Sequence, residues 1–79
     1  MKEQIKEIMK RVFNIDKVTD NISQLNCEKW DSLNHLNLIV ELEEAFDVSF
    51  EPEEIAEMNS LGKIEGMLKS KVIKNDNNL

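Results

Sequence analysis

The chain has 79 residues, a hydrophobic fraction of 41% and a net charge of −6. That length holds one small domain, which buries only about 60% of its unfolded surface, and this argues against a self-contained enzyme with a deep pocket. The single cysteine, Cys27, excludes an internal disulfide, and an acidic chain repels nucleic-acid phosphates.

Two glycines, one proline and no tyrosine point to helices rather than a turn-rich β fold. In the first helix, Ile5, Ile8, Met9, Val12 and Phe13 recur at helical spacing and form one apolar stripe. Charged residues interrupt the stretch from Met1 to Val12, so it is read as neither a signal peptide nor a membrane span, and the expected location is the cytoplasm. Asn14 to Lys29 reads as a long connection. Thr19, Asp20, Asn21 and Ser23 form its turns, and Ile22 and Leu25 pin it to the core.

The second helix is predicted from about Ser32 to Phe46. At about 100° per residue, Leu38, Ile39, Leu42, Ala45 and Phe46 share its core face. Ser32, Leu36, Val40, Glu43 and Asp47 gather on nearly the opposite side. Leu36 and Val40 therefore point away from the core, in line with Ser32, with acids continuing the line. An apolar patch rimmed by carboxylates is a docking surface for a basic partner, although single exposed aliphatics are also normal. Val48 and Phe50 alternate with polar residues in a run too short for a strand. Pro52 opens a short third helix with Glu53 and Glu54 near its start. Ser60 is the N-cap of a last helix that carries Leu61, Ile64, Met67, Leu68 and Val72. Gly62 and Gly66 either weaken that helix or permit close packing. The predicted organisation is a single domain over residues 1–74 with a flexible tail at 75–79.

Candidate chemistry is sparse. His35 lies three residues after Ser32, but no strand-elbow context surrounds the serine. Its helical angle puts His35 at the edge of the core face, where a packed or hydrogen-bonded role is expected. Cys27 belongs to no metal-ligand pattern and reads as a loop packing residue. No metal site is expected. Asp31-Ser32 before an apolar helix has an immediate explanation as an N-cap, and the alternative is a covalent attachment point at the helix start. No Lys or Arg occurs from Ser32 to Glu57, while Glu41, Glu43, Glu44, Asp47, Glu51, Glu53, Glu54 and Glu57 all fall there. Such a stretch steers basic protein surfaces.

From Trp30 to Leu68 the chain resembles the acyl carrier protein family. Asp31-Ser32-Leu33 stands where that family has its modification motif. Leu36, Leu38, Ile39, Leu42-Glu43-Glu44 and Phe46 follow at the family's helix spacing, then Val48, Phe50, Glu51-Pro52-Glu53-Glu54-Ile55 and Ser60. The resemblance implies an all-α fold, a small four-helix bundle of three longer helices and one short, acting as a monomeric carrier and not as an enzyme. It implies that Ser32 bears a covalent 4′-phosphopantetheine arm, taken from coenzyme A by a phosphopantetheinyl transferase of the holo-ACP synthase type. Asp31 and Leu33 belong with Ser32 to the cofactor site: Asp31 would cap the helix or help orient the transferase, and Leu33 and Leu36 would contact that enzyme. Leu36, Val40, Glu43, Glu44 and Asp47 would meet acyl-loading and acyl-transfer enzymes with basic docking patches. Where the fatty-acid-synthesis pattern has Gly before the motif and acids after it, this chain has Lys29-Trp30, Asn34 and Asn37. In that respect it looks more like stand-alone carriers of specialised pathways. An aminoacyl or peptidyl carrier, and an unmodified helical interaction module, remain as alternatives. Trp30 fits core packing or partner contact.

Overall fold

The computed structural model describes the backbone of residues 1–77 and the side chains of residues 1–72. Four helices follow in order: α1 (Lys2–Phe13), α2 (Ser32–Phe46), α3 (Pro52–Glu57) and α4 (Leu61–Asn77). The expected tail at 75–79 meets this limit: α4 is helical to Asn77, and residues 78–79 lie outside the described ones.

The starts of α2, α3 and α4 and the ends of α1 and α2 fall where local chemistry satisfies free backbone groups. α1 stops at Asn14, whose φ of 56° lets its N–H turn back to the Lys10 carbonyl. α2 stops in the same way at Asp47, with φ 53°. In α3, Pro52 lies in the first turn, and Glu51 and Glu54 exchange side-chain-to-backbone bonds as a capping box. Ser60 Oγ accepts from the Lys63 N–H, so it caps α4 as expected.

The core is continuous. Ile5, Met9 and Phe13 of α1 meet Leu38 and Leu42 of α2 and Leu61, Ile64 and Leu68 of α4, all essentially without solvent contact. Val18 and Ile22 bring the long loop onto this core, and half-buried Cys27 packs against it. The loop is also tied by polar bonds. Gln24 N–H donates to the Asn59 carbonyl, and Leu61 N–H donates to the Ile22 carbonyl. Asp20 pairs with Lys6, and the Lys2 ammonium lies 3.9 Å away. The hydrogen bond from Lys6 and the charges of both lysines hold the Asp20 carboxyl below its usual range. Val48 and Phe50 form no strand. The Phe50 N–H instead takes the Glu43 carboxylate at 2.9 Å.

Three expectations are corrected. Leu25 does not pin the loop but is fully exposed. Asn26 closes a tight turn by bonding the Ser23 N–H and the Asn21 carbonyl, and Leu25 sits at its tip. Ala45 is exposed and lines an open groove with Glu3, Gln4, Glu7 and Ile8. α1 packs on the Leu38–Leu42 side of α2 and leaves Ala45 at the rim. Gly62 and Gly66 permit no close packing, because both are exposed and an added Cβ would meet nothing within 4 Å.

Gly66 thus destabilises α4 with no packing return. Gly66→Ala should raise stability by about 0.5–1 kcal/mol, read as a higher urea midpoint with an unchanged slope.

Candidate functional site

The start of α2 separates two roles that the sequence leaves combined. Asp31 is the N-cap: its backbone is extended and its Oδ1 accepts from the Asn34 N–H at 2.8 Å. The Asn34 side chain donates back to the Lys29 carbonyl at 2.8 Å and fastens the incoming loop. Ser32 is therefore the first helical residue and not the cap. Its side chain is exposed, and nothing among the described residues bonds its hydroxyl. The first-turn N–H groups of Ser32 and Leu33 have no intrahelical acceptor, as at any helix start. An anion attached at the hydroxyl would lie beside these groups and the positive end of the helix dipole.

Below Ser32, the structure orders the predicted docking residues along one face. Leu33, Leu36 and Val40 are 69%, 56% and 54% exposed, the main apolar exposure on the helices. Glu44 and Asp47 are exposed beyond them. Glu43 is half-buried, and one of its oxygens holds the Phe50 N–H, so it also serves the fold. Arg11 reaches from α1 to Glu41 at 2.9 Å, which puts one cation beside the apolar stripe. These two residues are 30 apart, and no sequence signal couples them.

Acids crowd the C-terminal end of α2, where the last turn has no base. The helix dipole disfavours them there. Asp47 also adopts a left-handed conformation that suits glycine better. The stretch is thus electrostatically and conformationally costly to the fold.

His35 is buried, as its angle predicts. Its Nδ1 accepts from Trp30 Nε1–H at 3.0 Å, so its other nitrogen carries the hydrogen and donates to the Ile55 carbonyl at 2.8 Å. Trp30 is core packing: it is 2% exposed and lies 5.3 Å from the Phe13 ring. The bond from His35 to α3 is a feature that helical periodicity does not reveal.

A family described as "Phosphopantetheine attachment site" matches residues 3–68. The chain belongs to this family. It is a carrier protein, and the family's prosthetic group is 4′-phosphopantetheine. The carrier is 32% identical to the acyl carrier protein of Buchnera aphidicola subsp. Schizaphis graminum, a match that covers 80% of this chain and 82% of that one. It is 34% identical to the D-alanyl carrier protein of Lactococcus lactis subsp. cremoris, over 95% of this chain and 100% of that protein. Among solved structures, holo acyl carrier protein from Geobacter metallireducens superposes with a TM-score of 0.87 at 26% identity, covering 99% of this chain and 92% of that one. A putative acyl carrier protein from Mycobacterium tuberculosis gives 0.75 at 26% identity, covering 82% and 89%. The four-helix, all-α carrier fold is therefore established. Ser32 fits the prosthetic group, because it offers an exposed hydroxyl free of structural duty beside unpaired N–H donors.

Two outcomes test this division of labour. Asp31→Ala should cost about 1 kcal/mol, whereas Ser32→Ala should leave the denaturation midpoint of the unmodified carrier nearly unchanged. Asp47→Gly should raise stability by about 1 kcal/mol, measured in the same way.

Proposed function

We propose that this carrier is modified at Ser32 and holds acyl groups as thioesters for delivery to partner enzymes. The observation that carries the proposal is the exposed, unbonded Ser32 hydroxyl at the first position of α2, with capping performed by Asp31. In attachment, the hydroxyl oxygen bonds to the phosphorus next to the pantetheine of coenzyme A. The phosphoanhydride bond breaks, adenosine 3′,5′-bisphosphate leaves, and the serine proton passes to a base of the transferase. The arm supplies a terminal thiol, which forms the thioester. The carrier's residues present that arm and dock its partners.

Leu33, Leu36 and Val40 form the apolar contact for those partners, and Glu44 and Asp47, with the outer oxygen of Glu43, attract their Lys and Arg residues. Solvent-exposed charge pairs are weak individually and salt-sensitive, which suits a carrier that must leave each enzyme. The fold's tolerance of acids at the wrong end of α2 supports a docking role for them. No described helix is long and apolar enough to cross a membrane. We place the carrier in the cytoplasm as a monomer, alongside a holo-ACP-synthase-type transferase and acyl-loading and acyl-transfer enzymes. Asn34 and Asn37, which stand where the fatty-acid pattern has acids, favour partners from a specialised pathway. An aminoacyl cargo is the second reading, supported by the likeness to a D-alanyl carrier along 95% of the chain.

Incubation of the apo protein with coenzyme A and a broad-specificity transferase should add one phosphopantetheine by intact-mass analysis. Ser32→Ala should add none. Absence of any addition with several transferases would overturn the proposal.

A further inference from the structure

The side of α2 beneath Ser32 faces α3. Ser32 does not stand opposite the core face, as its helical angle was expected to place it: His35 and Ile39 follow it at i+3 and i+7, within about 60° of it around the helix and on the flank away from Leu36 and Val40. His35 bonds the Ile55 carbonyl in α3, and Glu43 bonds the Phe50 N–H just before it. α1 lies on the other side of the helix, where Arg11 meets Glu41. A group tethered to Ser32 therefore has the seam between α2 and α3 as its nearest way into the core.

That seam is fastened at both ends. His35 and Glu43 are eight residues apart, about 12 Å along the helix, and each bonds the backbone of the opposite segment. Between them Ile39 and Leu42 are 3% and 0% exposed. Met58, just past α3, is 0% exposed. The fastening nearest Ser32 continues inward: Trp30 Nε1–H holds His35 Nδ1, and Trp30 is packed on Phe13. Among the described residues, no buried side-chain nitrogen or oxygen lacks a partner. An apolar chain that entered here would part the buried His35 from the partly buried Ile55 carbonyl and set hydrocarbon against polar groups that it cannot satisfy. It would also have to displace close-packed side chains.

We propose that the Trp30–His35–Ile55 link makes this a carrier of short or polar cargo that rides outside the helices, with His35 as the residue that sets this specificity. The inference rests on attachment at Ser32. A small acyl or aminoacyl group gains little by entering the core, and it loses nothing by remaining in solvent. A medium or long alkyl chain is the cargo that the closed seam disfavours.

The test loads the apo protein with acetyl-CoA and, separately, octanoyl-CoA by a broad-specificity transferase. Cleavage of each thioester by hydroxylamine is then followed by intact mass. In the wild type, both should be cleaved at rates within about twofold of each other, whereas a chain inserted nine-tenths of the time would be slowed about tenfold. His35→Leu should slow octanoyl cleavage at least several-fold and leave acetyl cleavage unchanged. His35→Gln, which can still donate to the Ile55 carbonyl, should behave as the wild type. Trp30→Phe, which keeps the ring but removes the donor to His35, should fall between the two and serves in place of His35→Leu if that variant does not fold. Tenfold protection of octanoyl in the wild type would overturn the cargo assignment. Equal cleavage in the wild type and all folded variants would overturn the role of His35. Failure to load either group would overturn the attachment reading itself, an outcome that the mass spectrum separates from the other two.

Discussion

Trp30 is the constraint on which the rest of the molecule depends. Its ring lies against Phe13 of α1, its indole N–H is committed to His35 of α2, and through His35 it reaches the backbone of α3. One side chain thus ties three helices and the end of the long loop. A domain of this size has a stability on the order of 4–12 kcal/mol, and emptying a buried tryptophan site costs about 3–5 kcal/mol. Trp30 accordingly accounts for a large share of what keeps the fold in one arrangement. Its position one residue before the Asp31 cap has a functional result. The rigid anchor lies inside and the exposed serine lies outside, separated by a single turn of chain.

The second constraint is electrostatic. α2 ends in acids that its own dipole disfavours, and Asp47 adds a backbone conformation better suited to glycine. Elsewhere the same chain follows the ordinary rules: Lys10 and Arg11 close α1, and Glu53 and Glu54 open α3. The departure is local, and it falls on the face that also exposes Leu36 and Val40. The proposed docking of a partner enzyme that brings its own cations would offset this local cost.

Much of this was readable before any coordinates. The helical stripes, the caps at Asp31 and Ser60, Pro52 at the start of α3 and the outward Leu36 and Val40 follow from periodicity and from the satisfaction of helix ends. These are local properties, decided within a few residues. The errors are of a different kind. Leu25 is apolar and lies in a loop, but Asn26 folds the turn so that Leu25 projects outward. Ala45 has the right angle for the core, but where α1 crosses is not encoded in α2. His35 could be assigned to the core edge, yet its acceptor lies 20 residues away. The Arg11–Glu41 pair was invisible for the same reason. Periodicity assigns a face, and only tertiary packing assigns a partner.

The position of Ser32 just inside the helix, with Asp31 as the cap, bears on how such a chain can evolve. Selection for folding acts on Asp31 and Trp30 but has almost no hold on the serine between Asp31 and Leu33. Its retention in a lineage would therefore record use alone. Under the proposed attachment, a duplicate gene relieved of that use could lose the hydroxyl by one substitution and persist as a folded helical module.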